Sequence, residues 1–402
     1  MTADKRFLRT IRLQNVLSFG PKSPELELQA LNVLIGPNGS GKSNLIEGIA
    51  MLQAAPGNLL KPIQSAGGIQ DWLWKGAEQT PVAEVEATIN YPAGKMPLRH
   101  RLSLTMIGQR AELVDESIEN ESLDGSSADG NFYFAYGLTG GHAILNGTIA
   151  GGVEGRARRQ IQPEDLSPDQ SVLSQRKDPD QYPEITYLGN QYAKIKLFRD
   201  WNLGRNIAAR KPQPTDLVSD FLAEDASNLA LVLNDLEHRG LRRSLVERLK
   251  EADASIEDFS TTVLGGTVQL FLHYARLKSP VPATRLSDGT IRYLCLLAVL
   301  CHPEPPPLVC LEEPELGLHP DLLPGLADLL VEASERMQLI VTTHSDTLVD
   351  GLTKVPETVV VCEKRGGSTE MCRKTKAELG EWLKEYGLGQ LWRRGEIGGN
   401  RW

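Results

Sequence analysis

Three short apolar stretches, lying far apart in the chain, have the pattern of strands buried in a parallel sheet. They are residues 31–35 (LNVLI), 308–311 (LVCL) and 338–341 (QLIV). A strand covered on both faces carries apolar side chains at nearly every position, because neither face meets water. The first stretch is N-terminal and the other two lie beyond residue 300. We therefore predict an α/β core assembled from two distant segments.

The region between these segments has two other patterns. Residues 82–91 (VAEVEATINY) and 98–108 (LRHRLSLTMIG) alternate apolar and polar side chains, which is typical of antiparallel strands with one exposed face. Residues 216–255 instead repeat apolar side chains every three or four positions, which predicts helices. We therefore expect an antiparallel β subregion and an inserted helical subdomain between the two parts of the core.

These patterns divide the 402-residue chain and show no internal repeat. We interpret the chain as a single structural unit whose core is split in sequence between residues 1–90 and 284–362. Residues 91–283 are then an inserted β-strand and helical region, and residues 363–402 a basic C-terminal tail or helix.

A glycine-rich loop follows the first apolar strand and precedes a helical pattern. Residues 36–43 (GPNGSGKS) fit the spacing G-x-x-x-x-G-K-[ST] of a phosphate-binding loop. The glycines let the backbone wrap, so that successive N–H groups and the start of the helix face anionic oxygens. We expect Lys42 to reach the β- and γ-phosphates of a nucleotide and the Ser43 hydroxyl to bind Mg²⁺. We call residues 36–43 the phosphate loop.

Two adjacent acids end the second apolar strand. Carboxylates at the end of a buried strand are costly unless a cation or a reactant uses them. Successive strand residues point to opposite faces, so Glu312 and Glu313 can have different tasks. One of them can belong to the Mg²⁺ shell while the other polarises the attacking water. Glu315 is interpreted as a helix cap or a salt-bridge partner.

The third apolar strand is followed by Thr342, Thr343, His344 and Ser345. Ligands of parallel sheets bind at the carboxyl ends of the strands. His344 is therefore expected near the same nucleotide, in contact with the γ-phosphate or the water. The other histidine of this region, His319, fits either an interface or the entry of a helix.

The overall charge and the cysteines restrict the choice of partners and compartment. With a formal net charge of −9, contact with DNA or RNA requires a local basic patch. The polar N-terminus and the lack of an apolar run of about 18 residues predict neither a signal peptide nor a membrane span. The five cysteines form no C-x-x-C pair, which favours reduced, mostly buried thiols in a cytoplasmic protein.

Several basic and aromatic clusters leave two interpretations open. The arginines of residues 156–159 and 242–248 are candidates for contacts with a phosphate backbone, or else are solvated surface. Residues 364–402 hold nine basic and five acidic residues with three tryptophans, so they are either a docking element, a surface near DNA, or a helix packed on its own core. Trp72 and Trp74 could stack on a base, although packing is the commoner use of such side chains.

Taken in order, these motifs resemble those of ABC-type ATPases, specifically the SMC/RecF/OLD group of soluble members. The resemblance rests on residues 11–20 (IRLQNVLSFG), the phosphate loop with Asn38, residues 286–290 (LSDGT), residues 311–320 (LEEPELGLHP) and residues 342–345 (TTHS). It covers residues 5–55 and 284–362, and the end of the chain looks like that of stand-alone bacterial ATPases. We call residues 286–290 the signature turn.

The resemblance implies a P-loop ABC-type ATPase head that uses ATP and Mg²⁺. Its implied catalytic residues are Glu313, His344 and Lys42, and its implied Mg²⁺ ligands are Ser43 and Glu312. The implied nucleotide-binding residues of the chain's own site are Gly36, Pro37, Asn38, Gly39, Ser40, Gly41, Lys42, Ser43 and Asn44. Ser287 and Gly289 are implied to contact the γ-phosphate bound by a second subunit.

The sequence also departs from the group's pattern. Glu312 stands where the group usually has aspartate, as in the OLD branch, and Thr290 stands where many members have glutamine. Asp288 replaces a glycine, and we expect it to point away from the phosphate or to pair with a cation, with Arg292 at i+4 as the nearest candidate. For the glutamine of the Q-loop there are two candidates, Gln64 and Gln70.

Two domains of related proteins are expected to be missing. About 58 residues follow His344, too few for the Toprim nuclease of OLD proteins, and the inserted region lacks the long heptad runs of an SMC coiled coil. The expected function is a Mg²⁺-dependent ATPase that forms a homodimer on ATP, or a higher oligomer, and controls a separately encoded effector such as a nuclease in DNA maintenance or anti-phage defence. The alternatives are a RecF-like clamp that binds duplex DNA directly and a weakly hydrolysing scaffold or sensor.

Overall fold

A computed structural model describes residues 6–94, 96–121, 132–137, 142–148, 156–161, 167–199, 201 and 203–399. Within these residues the chain forms three sheets and a set of mostly short helices. The strands are β1 (Leu8–Gln14), β2 (Leu26–Glu27), β3 (Leu31–Ile35), β4 (Ala83–Ile89), β5 (Leu98–Ile107), β6 (Arg110–Asn120), β7 (Phe132–Gly137), β8 (His142–Thr148), β9 (Arg156–Ile161), β10 (Lys196–Phe198), β11 (Gln213–Pro214), β12 (Ile256–Leu264), β13 (Thr267–Tyr274), β14 (Val281–Pro282), β15 (Leu308–Glu312), β16 (Gln338–Thr342), β17 (Val359–Arg365) and β18 (Ser368–Arg373). The α-helices are α1 (Lys42–Ala54), α2 (Lys61–Ser65), α3 (Ile69–Trp72), α4 (Val172–Gln175), α5 (Pro183–Tyr192), α6 (Leu229–His238), α7 (Arg242–Ala252), α8 (Asp288–Leu300), α9 (Leu323–Ser334), α10 (Asp346–Gly351), α11 (Lys376–Leu379) and α12 (Leu388–Arg393).

The central sheet has six strands in the order β10-β15-β16-β3-β17-β18. The first five are parallel, and β18 closes one edge as the antiparallel partner of β17. Strand β3 from the N-terminal part lies between β16 and β17 from the C-terminal part. This arrangement confirms the predicted α/β fold class, and the central sheet takes strands from both ends of the described chain.

Alternate residues of the central strands enter two separate hydrophobic cores. In β3, Val33 and Ile35 belong to the core shared with α8 and α9, whereas Leu34 belongs to the core shared with α1 and the antiparallel strands. In β15, Val309 and Cys310 divide in the same way. The sheet is therefore a middle layer covered on both faces, which explains its continuous apolar runs.

The predicted antiparallel β subregion is an eight-stranded sheet in the order β2-β1-β4-β5-β6-β7-β8-β9. Strands β4 and β5 pair over seven residues each, so hydrogen bonds cross the proposed boundary at residue 90. Strand β10, from the proposed insertion, likewise pairs with β15 of the central sheet. The insertion is thus built into both sheets and is not a separate appendage.

Helices α6 and α7 confirm part of the predicted helical subdomain, and they pack with a small sheet of β11–β14 against α8. The prediction of helix over residues 216–228 is wrong, because this stretch forms turns. The side-chain amide of Asn228 donates hydrogen bonds to the carbonyls of Val218 and Phe221, and Ala226 has a φ of 57°. Such contacts close turns and compete with helix hydrogen bonds.

The strand register brings the sequence motifs together at one edge of the central sheet. Glu312, the last residue of β15, is opposite Thr342, the last residue of β16, and Thr342 is opposite Leu34 of β3. The phosphate loop, Glu313 and His344 therefore leave neighbouring strands at the same end. None of the described helices is both long enough and apolar enough to cross a membrane.

Candidate nucleotide-binding site

The phosphate loop connects the end of β3 to the first turn of α1. Gly36 and Gly41 have φ values of 149° and 101°. A Cβ on Gly36 would lie 2.2 Å from the backbone oxygen of Cys362, and one on Gly41 would lie 2.2 Å from Oγ1 of Thr369. Both positions therefore need glycine for space as well as for conformation. The loop is held against β17 and β18 by these close approaches.

Lys42, the first residue of α1, points back across the loop. Its Nζ donates hydrogen bonds to the carbonyl oxygens of Gly36, at 2.8 Å, and Pro37, at 3.1 Å. Burial lowers the pKa of Lys42, while the nearby Cys362, Glu313 and Glu315 oppose this shift. The ammonium group is thus held at the mouth of the loop, where the phosphates of a bound nucleotide would give it an anionic partner.

A group of hydroxyls supports the loop from behind. Oγ1 of Thr369, on β18, lies 2.9 Å from the Ser40 carbonyl and 2.7 Å from Oγ of Ser18. The side-chain amide of Asn44 donates to the same Ser18 hydroxyl at 2.7 Å. Ser18 belongs to the N-terminal motif, so this motif supports the loop directly. The Ser40 hydroxyl is buried and has no hydrogen-bond partner among the described residues, as expected of a group that faces a ligand.

An unusual backbone turn begins at Glu313, directly after Glu312 ends β15. Glu313 has a φ of 44°, in the left-handed region that residues other than glycine rarely adopt. Its N–H donates to the Thr342 carbonyl at 3.0 Å, which keeps the turn on the neighbouring strand. Oε1 of Glu313 lies 3.5 Å from Nε2 of His344. The strained turn thus brings together the two side chains that the sequence predicts to act on water and γ-phosphate.

Glu315 organises the loop that carries the histidine. Its Oε1 accepts hydrogen bonds from Oγ1 of Thr343, at 2.5 Å, and from the N–H of His344, at 2.9 Å. Burial raises the pKa of Glu315, and these two hydrogen bonds oppose the increase. The sequence suggested a cap or a salt bridge here. The structure instead shows an acceptor that fixes the position of His344.

The environment of His344 favours the neutral imidazole. Burial lowers the pKa of His344, the positive charge of Lys42 lowers it further, and Glu313 opposes both. A neutral imidazole can donate from one nitrogen and accept at the other. It can therefore donate either to Glu313 or to a γ-phosphate oxygen, while its other nitrogen accepts a hydrogen bond from a water.

The expected Mg²⁺ ligands lie beside an arginine. Arg199, at the end of β10, places Nη2 3.5 Å from the Ser43 carbonyl and Nε 3.7 Å from Oε2 of Glu312. Within the described residues no three His, Cys, Asp or Glu side chains form a group that could hold a metal alone. A serine hydroxyl and one carboxylate next to a phosphate loop nevertheless fit Mg²⁺, which usually takes its other ligands from phosphates and water.

The signature turn lies in a different groove. Ser287 is the N-cap of α8, with its Oγ accepting from the N–H of Thr290 at 3.1 Å. A Cβ on Gly289 would lie 2.6 Å from the carbonyl oxygen of Gly317, so the two glycines pack backbone to backbone. The groove measures about 700 Å³ and is lined by Ser287, Gly289, Gly317 and His319 among others, with no residue of the phosphate loop. The signature turn and the phosphate loop therefore line separate sites on the described part of the chain.

Asp288 pairs with a cation as predicted, but Arg292, the candidate named from the sequence, is not its partner. Asp288 pairs with Arg210, a fully buried arginine that also donates to the carbonyls of Leu203, Ala283 and Leu286. A buried guanidinium needs an anionic partner more than a surface one does, which accounts for the choice. Arg292 instead donates to the Trp201 carbonyl at 3.0 Å. Asp288 therefore faces a cation, and its charge is offset.

Several of the remaining candidate residues are buried or paired within the chain. Trp72 is completely buried, which excludes base stacking there, whereas Gln64 and Gln70 are exposed on α2 and α3. The arginines of α7 are matched by carboxylates, which makes them weaker candidates for a DNA-binding patch. These pairs are Arg242 with Glu237 and Asp258, Arg243 with Glu247, and Arg248 with Glu251 and Glu332. The side chains of the arginines at positions 156–159 lie outside the described residues.

The C-terminal segment packs on its own chain. In α12, the N–H of Gly389 donates to Oδ1 of Asp350 in α10 at 3.1 Å. Further on, the N–H of Gly399 donates to Oε1 of Glu363 at 2.7 Å, and a Cβ there would lie 3.5 Å from Cα of Gly36. Gly399, the last residue that the structure describes, therefore lies against the phosphate loop. Of its three tryptophans, Trp402 lies outside the described residues.

Comparison with solved structures shows the same fold in the head domains of SMC proteins. The Smc head with an extended coiled coil from Pyrococcus furiosus, bound to the C-terminal domain of ScpA, gives a TM-score of 0.59 at 15% identity, over 94% of this chain and 99% of that one. A second Smc head, bound to the C-winged helix domain of ScpA, gives 0.56 at 16% identity, over 92% and 99%. The Smc head from Pyrococcus yayanosii gives 0.50 at 11% identity, over 94% and 99%.

Sequence comparison gives the family. No curated protein matches the chain significantly. Residues 31–350, which run from β3 through the phosphate loop and the signature turn to α10, match one family along their whole length. The chain therefore belongs to the ATPase family described as "AAA domain, putative AbiEii toxin, Type IV TA system", and it has the ABC-type fold of the SMC/RecF/OLD group.

Proposed function

We propose that this protein is a Mg²⁺-dependent ATPase whose ATP-bound heads pair head to tail. The observation that carries the proposal is the division of one set of ATPase groups between two places. Lys42, Glu313 and His344 meet at the edge of the central sheet, with Glu313 and His344 3.5 Å apart. Ser287 and Gly289 line a groove that contains no part of the phosphate loop. A second molecule would bring the two halves together.

In the proposed reaction each group has one task. The phosphate loop and Lys42 bind the β- and γ-phosphates, and Glu313 accepts a hydrogen bond from the attacking water and orients it. Neutral His344 contacts the γ-phosphate or the same water. Ser43 and Glu312 would hold Mg²⁺, which offsets phosphate charge when it is bound. The Glu315 carboxylate keeps His344 in place through its backbone N–H.

The signature turn would complete the site of the partner head. Ser287 offers a hydroxyl, and α8 begins at Asp288, so the positive end of its dipole points toward a γ-phosphate in the groove. ADP has no γ-phosphate, so hydrolysis would weaken the pair of heads. ATP thus promotes the dimer, and higher oligomers could form from it.

We infer that the dimer acts on a separately encoded effector. The related Smc heads are bound to domains of ScpA, so this fold can carry a partner protein. A nuclease in DNA maintenance or anti-phage defence is the proposed effector. The five free cysteines are consistent with a reducing cytoplasm, which is the proposed location.

A Glu313→Gln variant tests the proposal. Glutamine keeps the size of the side chain but does not accept a proton, so the variant should bind ATP and lose about 100-fold or more of its hydrolysis rate. In light scattering it should accumulate as a dimer with ATP but not with ADP. Glu257→Gln, an exposed position on β12, is the matched control and should behave as wild type. A variant that stays monomeric at saturating ATP would overturn the head-to-tail dimer.

Two alternative functions predict different measurements. A RecF-like clamp would show faster hydrolysis with duplex DNA and an affinity that falls steeply with salt. A scaffold or sensor would show little turnover with or without DNA in a single-turnover experiment. The carboxylate partners of the α7 arginines favour the proposed ATPase over the clamp.

A further inference from the structure

We propose that Arg199 is a positioning residue that competes with Mg²⁺ for Glu312 and thereby limits how tightly the metal binds. This inference rests on the proposed function. Arg199 directly follows β10, and β10 is the parallel neighbour of β15. Because Phe198 is opposite Leu311, Arg199 falls opposite Glu312 at the nucleotide edge of the sheet.

The guanidinium of Arg199 contacts three groups around the expected metal position. Nη1 donates to Oε1 of Glu47, on α1, at 2.8 Å. Nη2 lies 3.5 Å from the Ser43 carbonyl, and Nε lies 3.7 Å from Oε2 of Glu312. The side chains of Arg199, Glu47 and Glu312 are 26%, 21% and 17% exposed. The charges are therefore only partly screened by water.

Without metal, the positive charge of Arg199 offsets the negative charges of Glu47 and Glu312. Partly buried acids need a cation nearby, and the planar fork of arginine can serve both at once. A lysine at this position would be a point charge and could not contact Glu47 and Glu312 in the same way. Arg199 thus keeps Glu312 in place before the metal arrives.

When Mg²⁺ is bound by Ser43 and Glu312, two cations share one carboxylate. They repel each other, so part of the attraction between Glu312 and the metal is offset. Glu47 gives Arg199 another anionic partner at a shorter distance than Glu312. The guanidinium can therefore stay with Glu47 while Glu312 turns to the metal. In this arrangement Arg199 lowers the affinity for Mg²⁺, and Glu47 reduces that effect.

The inference predicts opposite shifts for two substitutions. Arg199→Gln removes the competing cation, so half-saturation by Mg²⁺ should occur at a concentration about three- to tenfold lower. Glu47→Gln leaves Arg199 with Glu312 as its remaining carboxylate partner among these contacts, so half-saturation should move about as far in the other direction. The measurement is binding of a fluorescent ATP analogue at fixed concentration during a Mg²⁺ titration, with the analogue in EDTA as baseline.

A second readout does not depend on nucleotide. In EDTA, Arg199→Gln should melt at a lower temperature than wild type, because two partly buried carboxylates lose their cation. Arg205→Gln removes an exposed arginine from the same connecting segment and should change neither measurement. Arg199→Lys keeps the charge but not the contact with both carboxylates, so its Mg²⁺ titration should lie between those of wild type and Arg199→Gln.

The outcomes separate this inference from the proposed function. Suppose that Arg199→Gln binds the analogue in EDTA but needs the same Mg²⁺ concentration as wild type, or a higher one. The proposed competition between Arg199 and Mg²⁺ is then wrong, whereas the proposed ATPase function is unaffected. If wild type binds no analogue with or without Mg²⁺, the proposed function fails first. Should Arg199→Gln not fold, Glu47→Gln alone decides, since an unchanged or lower Mg²⁺ requirement in that variant contradicts the inference.

Discussion

The first glycine of the phosphate loop faces a backbone carbonyl, whereas the second faces open space. Gly36→Ala would place a Cβ 2.2 Å from the Cys362 oxygen, and that oxygen belongs to a central strand that cannot easily move. We expect this variant to lose ATP binding and to unfold more easily by about 2 kcal/mol or more. Gly39→Ala is the matched control, with a φ of 78° but no atom within 4 Å, so only the cost of its conformation, about 1 kcal/mol, is expected.

Thermal unfolding and fluorescent-nucleotide binding, measured on both glycine variants, check this expectation. The two substitutions add the same atom to the same loop, so the difference between them measures the contact with β17. Equal losses in both would mean that backbone conformation, and not the contact with Cys362, decides the position.

Arg210 determines the local shape of the signature turn. Arg210→Met would leave the carbonyls of Leu203 and Leu286 and the Asp288 carboxylate without their buried donor. We expect a loss of about 2–4 kcal/mol in the free energy of unfolding, because each buried carbonyl left without a donor costs about 1–3 kcal/mol, whereas Asp288 is 70% exposed and can be solvated by water. Asp288→Asn keeps an acceptor for Arg210 and should cost about 1 kcal/mol. Chemical denaturation of the two variants tests the difference, and a mild Arg210→Met would contradict this role.

At this scale the sequence predicts residues whose type alone indicates chemistry. The positions of Lys42, Glu313 and His344 at one edge of the sheet were predictable, because the spacing of the phosphate loop marks the first and an apolar strand precedes each of the other two. Arg210 was not, because its partner Asp288 is 78 residues away and a local i+4 arginine offered a simpler pair. The support of the phosphate loop by Thr369 depends on the antiparallel β18, and no motif marks that residue.

At the scale of elements, the connection between β15 and the loop after β16 is a second determinant of the site. Glu315 alone accepts from both Thr343 and the His344 N–H through one oxygen. Glu315→Ala should displace His344 and lower kcat by about 10- to 100-fold, while the Kd of ATP stays near that of wild type. Glu315→Gln keeps an acceptor oxygen and should retain more activity. Steady-state kinetics with a separate ATP-binding assay measures both, and a matching loss of binding would contradict a role confined to His344.

Elements were predictable where the apolar period was long enough. The buried strands and α9 have clear patterns. The three residues of β10 are too few for any pattern, although this strand positions Arg199 beside Glu312. Residues 216–228 have the apolar spacing of a helix but form turns. The side-chain amide of Asn228 closes these turns by donating to two backbone carbonyls. In β10 and in residues 216–228, contacts with other parts of the chain determine the local structure.

At the scale of the whole molecule, the two halves of the proposed site lie in separate places on one head, the first at the edge of the central sheet and the second in the groove at the start of α8. The sequence predicted the split core, since the strands from both ends have the same apolar character. It could not predict that the insertion adds strands to two sheets, because β-pairing across long distances leaves no local signal. The signature turn lies at the start of α8, and α8 packs in the core on one face of the central sheet. The position of α8 therefore fixes the position of the turn and its groove.

This separation allows a test of dimerisation that leaves the monomer intact. Ser287 caps α8, so a large substitution there would also weaken the helix. Aspartate caps a helix as well as serine does, but it places a negative charge where the partner's γ-phosphate is expected. We expect Ser287→Asp to bind ATP as a monomer and to weaken ATP-dependent dimerisation by at least about tenfold, since like charges brought together at an interface cost several kcal/mol.

Ser287→Asn is the matched control, because asparagine caps equally well and carries no charge. The neighbouring Asp288 does not obscure the comparison, since Arg210 already offsets its charge in both variants. Light scattering of each variant in the Glu313→Gln background, with ATP, measures the dimer directly. Dimerisation lost with aspartate and kept with asparagine places a phosphate next to residue 287. Equal dimerisation by both would mean that the heads do not meet through this groove, even if ATP hydrolysis itself is confirmed.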